Sequence, residues 1–227
     1  MTGGSRGIGA RLAAMLAERG YAVAVCGRDA VRAEQVAADL NGRALGVAAD
    51  VTDPAQAEAV VATVTGRLGP IDVLVNAAGV RDQRALPWES DPADWWRTLE
   101  VNVRGVMLMT SAVLPGMIAR GRGHIVDLGS GIAFRAEPRY SAYSVSKAAA
   151  YRWLDNVATA LGADSPVRVV NVSPGVVRTD MTETMWDESD DIEFGSTEPV
   201  ENFVRRFVAG ELDHLHGQFI HAVKDDY

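Results

Sequence analysis

The sequence predicts a doubly wound α/β fold, a parallel sheet covered by helices on both faces, and two observations lead to that expectation. Six short apolar runs alternate with longer amphipathic stretches, and a glycine-rich loop opens directly into a helical run. The apolar runs cover 22–26, 44–48, 71–75, 125–128, 167–172 and 219–223. Their unbroken Val, Ile, Leu and Ala character suits strands buried on both faces, the condition of a parallel sheet between helical layers.

The helices are expected near 29–40, 54–68, 92–119, 140–162 and 198–209. Asp53-Pro54 and Asp91-Pro92 each place an N-capping carboxylate before a proline at the first helical position. Gly20 and Gly69 stand where a left-handed residue ends a helix. With 227 residues, 48% of them hydrophobic, the chain can bury the core of one domain, 1–227, and shows no repeat or linker.

The glycine loop Thr2-Gly3-Gly4-Ser5-Arg6-Gly7-Ile8-Gly9 runs into a helix from Ala10 to Arg19. Glycines let backbone approach a pyrophosphate closely, and the N–H groups and dipole of the following helix attract its charge. Such a loop should follow a strand, yet only Met1 precedes Thr2. The first strand of the sheet is therefore expected to be missing, leaving a gap of roughly 10 Å between the strands at 22 and 71, since neighbours lie about 4.8 Å apart. Five apolar residues at about 2 kcal/mol each are worth on the order of 10 kcal/mol, so poor stability or local rearrangement is expected. The accompanying expectation is that the physiological protein begins upstream, with Met1 at the last position of the absent strand.

The net charge of −8 sits unevenly: residues 187–227 carry all of it, and the first 186 residues balance. A neutral body with an acidic end argues against nucleic-acid or anionic-membrane partners. No uninterrupted apolar stretch reaches the roughly 18 to 20 residues of a membrane span. A single cysteine, Cys26, suits a reducing compartment, and a cytoplasmic location is expected. The four histidines have no metal-ligand company, so no metal is expected, and His214-Leu215-His216 reads as a surface turn.

One spacing carries the chemistry. Tyr143 and Lys147 are four residues apart in a helix-favouring stretch, which puts phenol and ammonium on one face. A positive charge so placed favours the ionised phenol, making Tyr143 a candidate general acid/base. Only two of the 22 basic residues are lysines, so a Lys at 147 suggests a need for a compact ammonium rather than a planar guanidinium. Gly129-Ser130-Gly131 lacks the flanking glycines of a hydrolase elbow, with Leu128 and Ile132 in their places.

The glycine loop, Asn76-Ala77-Ala78-Gly79 after the third strand, Ser130, the Tyr143/Lys147 pair and Ser173-Pro174-Gly175 with Thr179 occur in a set order. Together they resemble the short-chain dehydrogenase/reductase family in its single-domain, Rossmann-type form. The resemblance implies hydride transfer between a nicotinamide cofactor and a carbonyl or secondary alcohol. It assigns Tyr143 as proton donor or acceptor, Lys147 to the phenol and the nicotinamide ribose, and Ser130 to the substrate oxygen. Asn102 corresponds to a helix-kinking Asn that keeps a water in the proton relay.

For the cofactor, the resemblance assigns Gly3, Ser5, Arg6, Gly7, Ile8 and Gly9 to the pyrophosphate loop, and Asp50, Val51, Asn76, Ala77 and Gly79 to the adenosine side. Pro174, Gly175, Val177 and Thr179 correspond to the segment that holds the carboxamide. Arg28, after Gly27 at the end of the strand expected at 22–26, which is second in the sheet once the missing first strand is counted, stands where an acid would bind a ribose 2′-hydroxyl. With Arg6 it can clamp a 2′-phosphate, so NADP(H) is expected over NAD(H). Residues 181–197 should form the substrate loop, with Met185, Trp186 and Phe194 as apolar anchors. A homodimer or homotetramer through the helices near 92–119 and 140–162 is implied. The alternative reading is a non-catalytic nucleotide-binding or scaffolding relative.

Overall fold

The computed structural model describes residues 1–185 and 192–227. Its helices are α1 (Gly7–Glu18), α2 (Ala30–Asp39), α3 (Pro54–Leu68), α4 (Pro92–Leu99), α5 (Gly105–Arg120), α6 (Ser141–Leu161) and α7 (Glu198–Val208). The strands are β1 (Val23–Gly27), β2 (Ala44–Ala48), β3 (Val73–Asn76), β4 (Gly123–Leu128), β5 (Val167–Ser173) and β6 (Phe219–His221). All pairings are parallel: β1 with β2, and β3-β4-β5-β6 in that order. The doubly wound expectation is met. One core layer joins α1 and α7 to the sheet through Leu12, Leu16, Phe203 and Phe207, and the other joins α3, α5 and α6 through Val60, Met109, Met117 and Leu154.

The two halves of the sheet meet at the first two residues. Met1 N donates to Ala24 O at 3.0 Å, and Cys26 N donates to Met1 O at 2.9 Å. Thr2 N donates to Val75 O at 3.0 Å, so Thr2 bridges Cys26 on one side and Asn76 on the other. Met1 and Thr2 therefore lie between β1 and β3, where the first strand was expected, and these bonds join the two ladders. Beneath these two residues a cavity of about 210 Å³ lies between β1 and β3, walled by apolar side chains such as Leu16, Val64, Met109 and Val113. Burial in this slot pushes the Met1 ammonium below the usual range, against the opposing effect of Cys26.

Helix ends follow the chemistry read from sequence. Asp53 accepts from Ala55 N and Gln56 N, and Asp91 from Ala93 N and Asp94 N, each before a proline. Gly20 and Gly69 take φ of 85° and 102°. The expected single helix over 92–119 is instead α4 and α5 joined by a π-helical turn, Glu100–Arg104. This run, 92–120, is long and on average apolar enough to cross a membrane, although Arg97, Glu100 and Arg104 interrupt its apolar character. Its Val106, Met109, Val113 and Met117 are buried in the core. The turn expected at His214-Leu215-His216 is present as a 3₁₀ turn, Asp213–Leu215, with His214 exposed, but Leu215 is buried and the half-buried His216 ring takes a hydrogen bond from Val169 N and contacts Ala158 O at 3.1 Å. The acidic segment beginning at Asp187, and Trp186 before it, lie outside the described residues.

Candidate active site

A cleft of about 390 Å³ opens at the C-terminal ends of the strands, where ligands bind in open α/β sheets. The glycine loop forms one wall. Gly3 has φ of 59°, and a Cβ there would lie 2.6 Å from Ala77 O; a Cβ on Gly9 would lie 2.4 Å from Gly3 O. Only glycine permits this packing. Thr2 holds the facing loop, its hydroxyl accepting from Ala77 N and Ala78 N at 3.2 Å each. The N-terminus of α1 has no side-chain cap, so its first N–H groups are available to an anion beside the cleft. These features fit a dinucleotide pyrophosphate.

At the other end lie Ser130, Tyr143 and Lys147. Ser130 caps a short 3₁₀ turn, Gly131–Phe134, which fixes it at the mouth of β4. Lys147, 7% exposed, donates from Nζ to Leu128 O at 2.7 Å and stands 5.8 Å from the centroid of the Tyr143 ring. Met185 and Phe194, expected as substrate anchors, do not line the cleft: Met185 O takes the Tyr140 hydroxyl and the Phe194 ring packs 4.4 Å from the Arg178 guanidinium. Of the catalytic and cofactor-binding residues expected from sequence, all but two line the cleft. The exceptions stand behind it. Asn76 is 2% exposed and donates to Thr110 Oγ1 at 3.1 Å, so it anchors β3 to α5 rather than facing a cofactor. Asn102 sits in the π-helical turn; its Oδ1 accepts from Val80 N at 2.8 Å, and its Nδ2 donates to Val80 O and Ser146 Oγ at 2.7 and 2.9 Å.

The match to known proteins agrees with this arrangement. A model of the short chain dehydrogenase family fits residues 1–190. The chain belongs to the short-chain dehydrogenase/reductase family. An uncharacterised oxidoreductase of Staphylococcus saprophyticus is 35% identical over 191 residues, covering 82% of this chain and 81% of the relative. The 3-oxoacyl-[acyl-carrier-protein] reductase of Bos taurus is 34% identical over 186 residues, 82% of this chain and 78% of that one. A crystal structure of 3-ketoacyl-(acyl-carrier-protein) reductase from Brucella melitensis complexed with NADH superimposes with a TM-score of 0.90 at 28% identity, covering 97% and 93% of the two chains. This short-chain dehydrogenase/reductase is thus an oxidoreductase by family, with a Rossmann-like sheet.

At the edge of the cleft after β2, Asp50 caps its own turn: Thr52 N and Oγ1 donate to its carboxylate at 2.9 and 2.8 Å. Burial opposes ionisation there, yet the Thr52 bonds and the charges of Arg97 and Arg28 hold the carboxyl below the usual range. Arg6 forms an exposed ion pair with Asp180 at 3.2 Å, so its guanidinium is shared between cleft and loop. Asp29, also on the rim, caps α2 through Arg32 N and pairs with Arg32 Nε at 3.5 Å.

Three residues that sequence reading did not single out shape the site. Thr2 braces the Ala77-Ala78 turn as described. Asp82, 2% exposed, accepts from Ala142 N at 3.1 Å and Tyr143 N at 3.0 Å. Arg81 donates to Met181 O and to both oxygens of Thr184. No sequence pattern exposes contacts spanning 60 to 103 residues.

Proposed function

We propose that the protein is an NADP(H)-dependent oxidoreductase that moves a hydride between the nicotinamide and a carbonyl or secondary alcohol, with Tyr143 as the general acid/base. The observation that carries this reading is the clustering of Ser130, Tyr143 and Lys147 at one end of a cleft whose other end is a glycine loop and an uncapped helix terminus. The bound nicotinamide would supply the hydride. Tyr143 then gives the phenol proton to the forming alkoxide, or takes it from an alcohol. Ser130 donates a hydrogen bond to the same oxygen, an electrostatic contribution that grows with the developing charge. Lys147 keeps a positive charge beside the phenol, and its buried stem fixes that charge in place.

The preference for NADP(H) is supported by Arg28, at the end of β1, and by Arg6 and Arg32 on the same rim. Arg6 and Arg32 are each paired with a rim carboxylate, Asp180 and Asp29, whereas Arg28 forms no ion pair among the described residues and so is the cation placed to meet a ribose 2′-substituent. The Bos taurus and Brucella melitensis relatives are a 3-oxoacyl- and a 3-ketoacyl-(acyl-carrier-protein) reductase by name, so 3-oxoacyl thioesters belong in the first substrate panel. Homo-oligomer formation is supported by exposed Ile118 on α5, Val145 on α6 and Phe134 nearby. The test is a nicotinamide absorbance assay with ketones and 3-oxoacyl thioesters. NADPH oxidation with at least one of them supports the reading, and cofactor binding without turnover across the panel would favour the non-catalytic alternative.

A further inference from the structure

We infer that Arg81 and Asp82 are positioning residues that couple the substrate-side segment 181–185 to the proton-transferring end of α6. After Gly79, three consecutive residues each tie a different part of the site. Val80 is bonded through both backbone groups to Asn102. Arg81 reaches the other way, its Nε donating to Met181 O at 3.3 Å and its Nη2 to Thr184 O and Oγ1 at 2.6 and 2.7 Å. Its Nη1 folds back to Asp82 O at 2.9 Å, which makes the side chain a brace between that segment and its own backbone.

Asp82 completes the link. Helix α6 starts without a side-chain cap from its own N-terminal residue, Tyr140. The orphan N–H groups of Ala142 and Tyr143 are instead satisfied by the two carboxylate oxygens of Asp82. A buried carboxylate at the positive end of a helix, taking two charge-assisted bonds, fixes that end firmly. One of its two donors is the backbone of Tyr143 itself. The link is doubled by Tyr140, whose ring lies 5.2 Å from the Arg81 guanidinium and whose hydroxyl bonds Met185 O. Met181 and Thr182 line the cleft, so a substrate that shifts this segment also pulls on the turn carrying the phenol.

The inference rests on Tyr143 being the proton-transferring group, and its test has one arm that needs no turnover. Hydrogen exchange at the Ala142 and Tyr143 amides is compared in the wild type, Arg81→Ala and Asp82→Asn. Asp82→Asn should accelerate both amides roughly tenfold or more, as expected for loss of a charge-assisted cap. Arg81→Ala, which leaves the cap intact, should accelerate the same two amides several-fold. In steady-state assays Arg81→Ala should raise KM for the carbonyl substrate roughly tenfold, whereas Asp82→Asn should lower kcat with KM little changed; a purely structural cap would lower thermal stability without that split. Wild-type exchange at Ala142 and Tyr143 in Arg81→Ala, with acceleration confined to 181–185, would overturn the coupling whatever the activity of the protein.

Discussion

The ammonium of Lys147 lies 5.8 Å from the centroid of the Tyr143 ring while donating to the backbone carbonyl of Leu128 at 2.7 Å. A neutral carbonyl therefore anchors the charge, and Lys147 forms no ion pair among the described residues. A carboxylate in contact would have cancelled the field that the phenol feels. Replacing Lys147 by Met should lower kcat at least about 100-fold, the lower end of what positioned acid–base groups contribute. Arg at 147 should restore little of it, because a planar guanidinium cannot take the place of the ammonium against Leu128 O. Steady-state kinetics of both variants check this; recovery with Arg would show that charge alone suffices.

Asp127 gives a pH dependence. Its carboxyl is fully buried in β4 and accepts from Asn171 Nδ2 at 2.7 Å, while Oδ1 has no partner. Burial pushes it up to about 6, against the opposing effects of Lys147 and the Asn171 bond. A carboxyl raised on folding holds its proton more tightly in the native state. Its contribution is thus full at pH below the unfolded value near 4 and is lost as pH rises through 6. The loss is on the order of 2 to 3 kcal/mol, two units at 1.4 kcal/mol each. Asp127→Asn should therefore gain stability relative to the wild type between pH 4.5 and 8. Denaturant midpoints measured across that range decide it, and parallel pH trends would contradict the assignment.

Cofactor choice is tested at the rim of β1. Arg28→Asp should shift the ratio of kcat/KM for NADPH over NADH towards NADH by at least about tenfold, since a carboxylate repels a 2′-phosphate and binds a ribose 2′-hydroxyl. An unchanged ratio would dismiss the NADP(H) assignment.

The slot beneath Met1 predicts a gain of stability on filling. Parallel strands bond alternately to either neighbour, and the open walls of β1 and β3 continue the ladder that Met1 and Thr2 begin. Four or five Val and Ile residues added before Met1 should fill the cavity of about 210 Å³. At about 2 kcal/mol per buried side chain and roughly 2 to 4 °C per kcal/mol for a chain of this size, Tm should rise by 10 °C or more. A Gly-Ser extension of equal length is the control, and equal Tm values for the two would refute the strand-filling account.

Much of this fold was legible because strands buried on both faces leave unbroken apolar runs, and because aspartate-proline pairs mark helix starts by local chemistry alone. The irregularity between α4 and α5 was legible only through the family resemblance at Asn102; no periodicity in 92–119 marks it, since it is fixed by Asn102 bonding Val80 across 22 residues. The same limit applies to Asn76: its place beside the glycine loop suggested a cofactor contact, but its amide turns to Thr110 on the neighbouring helix. The glycine positions were readable because close backbone approach admits no other residue. Asp82 was unreadable because a helix cap supplied from 60 and 61 residues away leaves no local pattern.

The most direct test of the central claim is hydride transfer by Tyr143→Phe, measured in single turnover with NADPH and an accepted carbonyl substrate. The account predicts a rate at least about 100-fold below the wild type, with NADPH still bound. A rate within a few-fold of the wild type would contradict it.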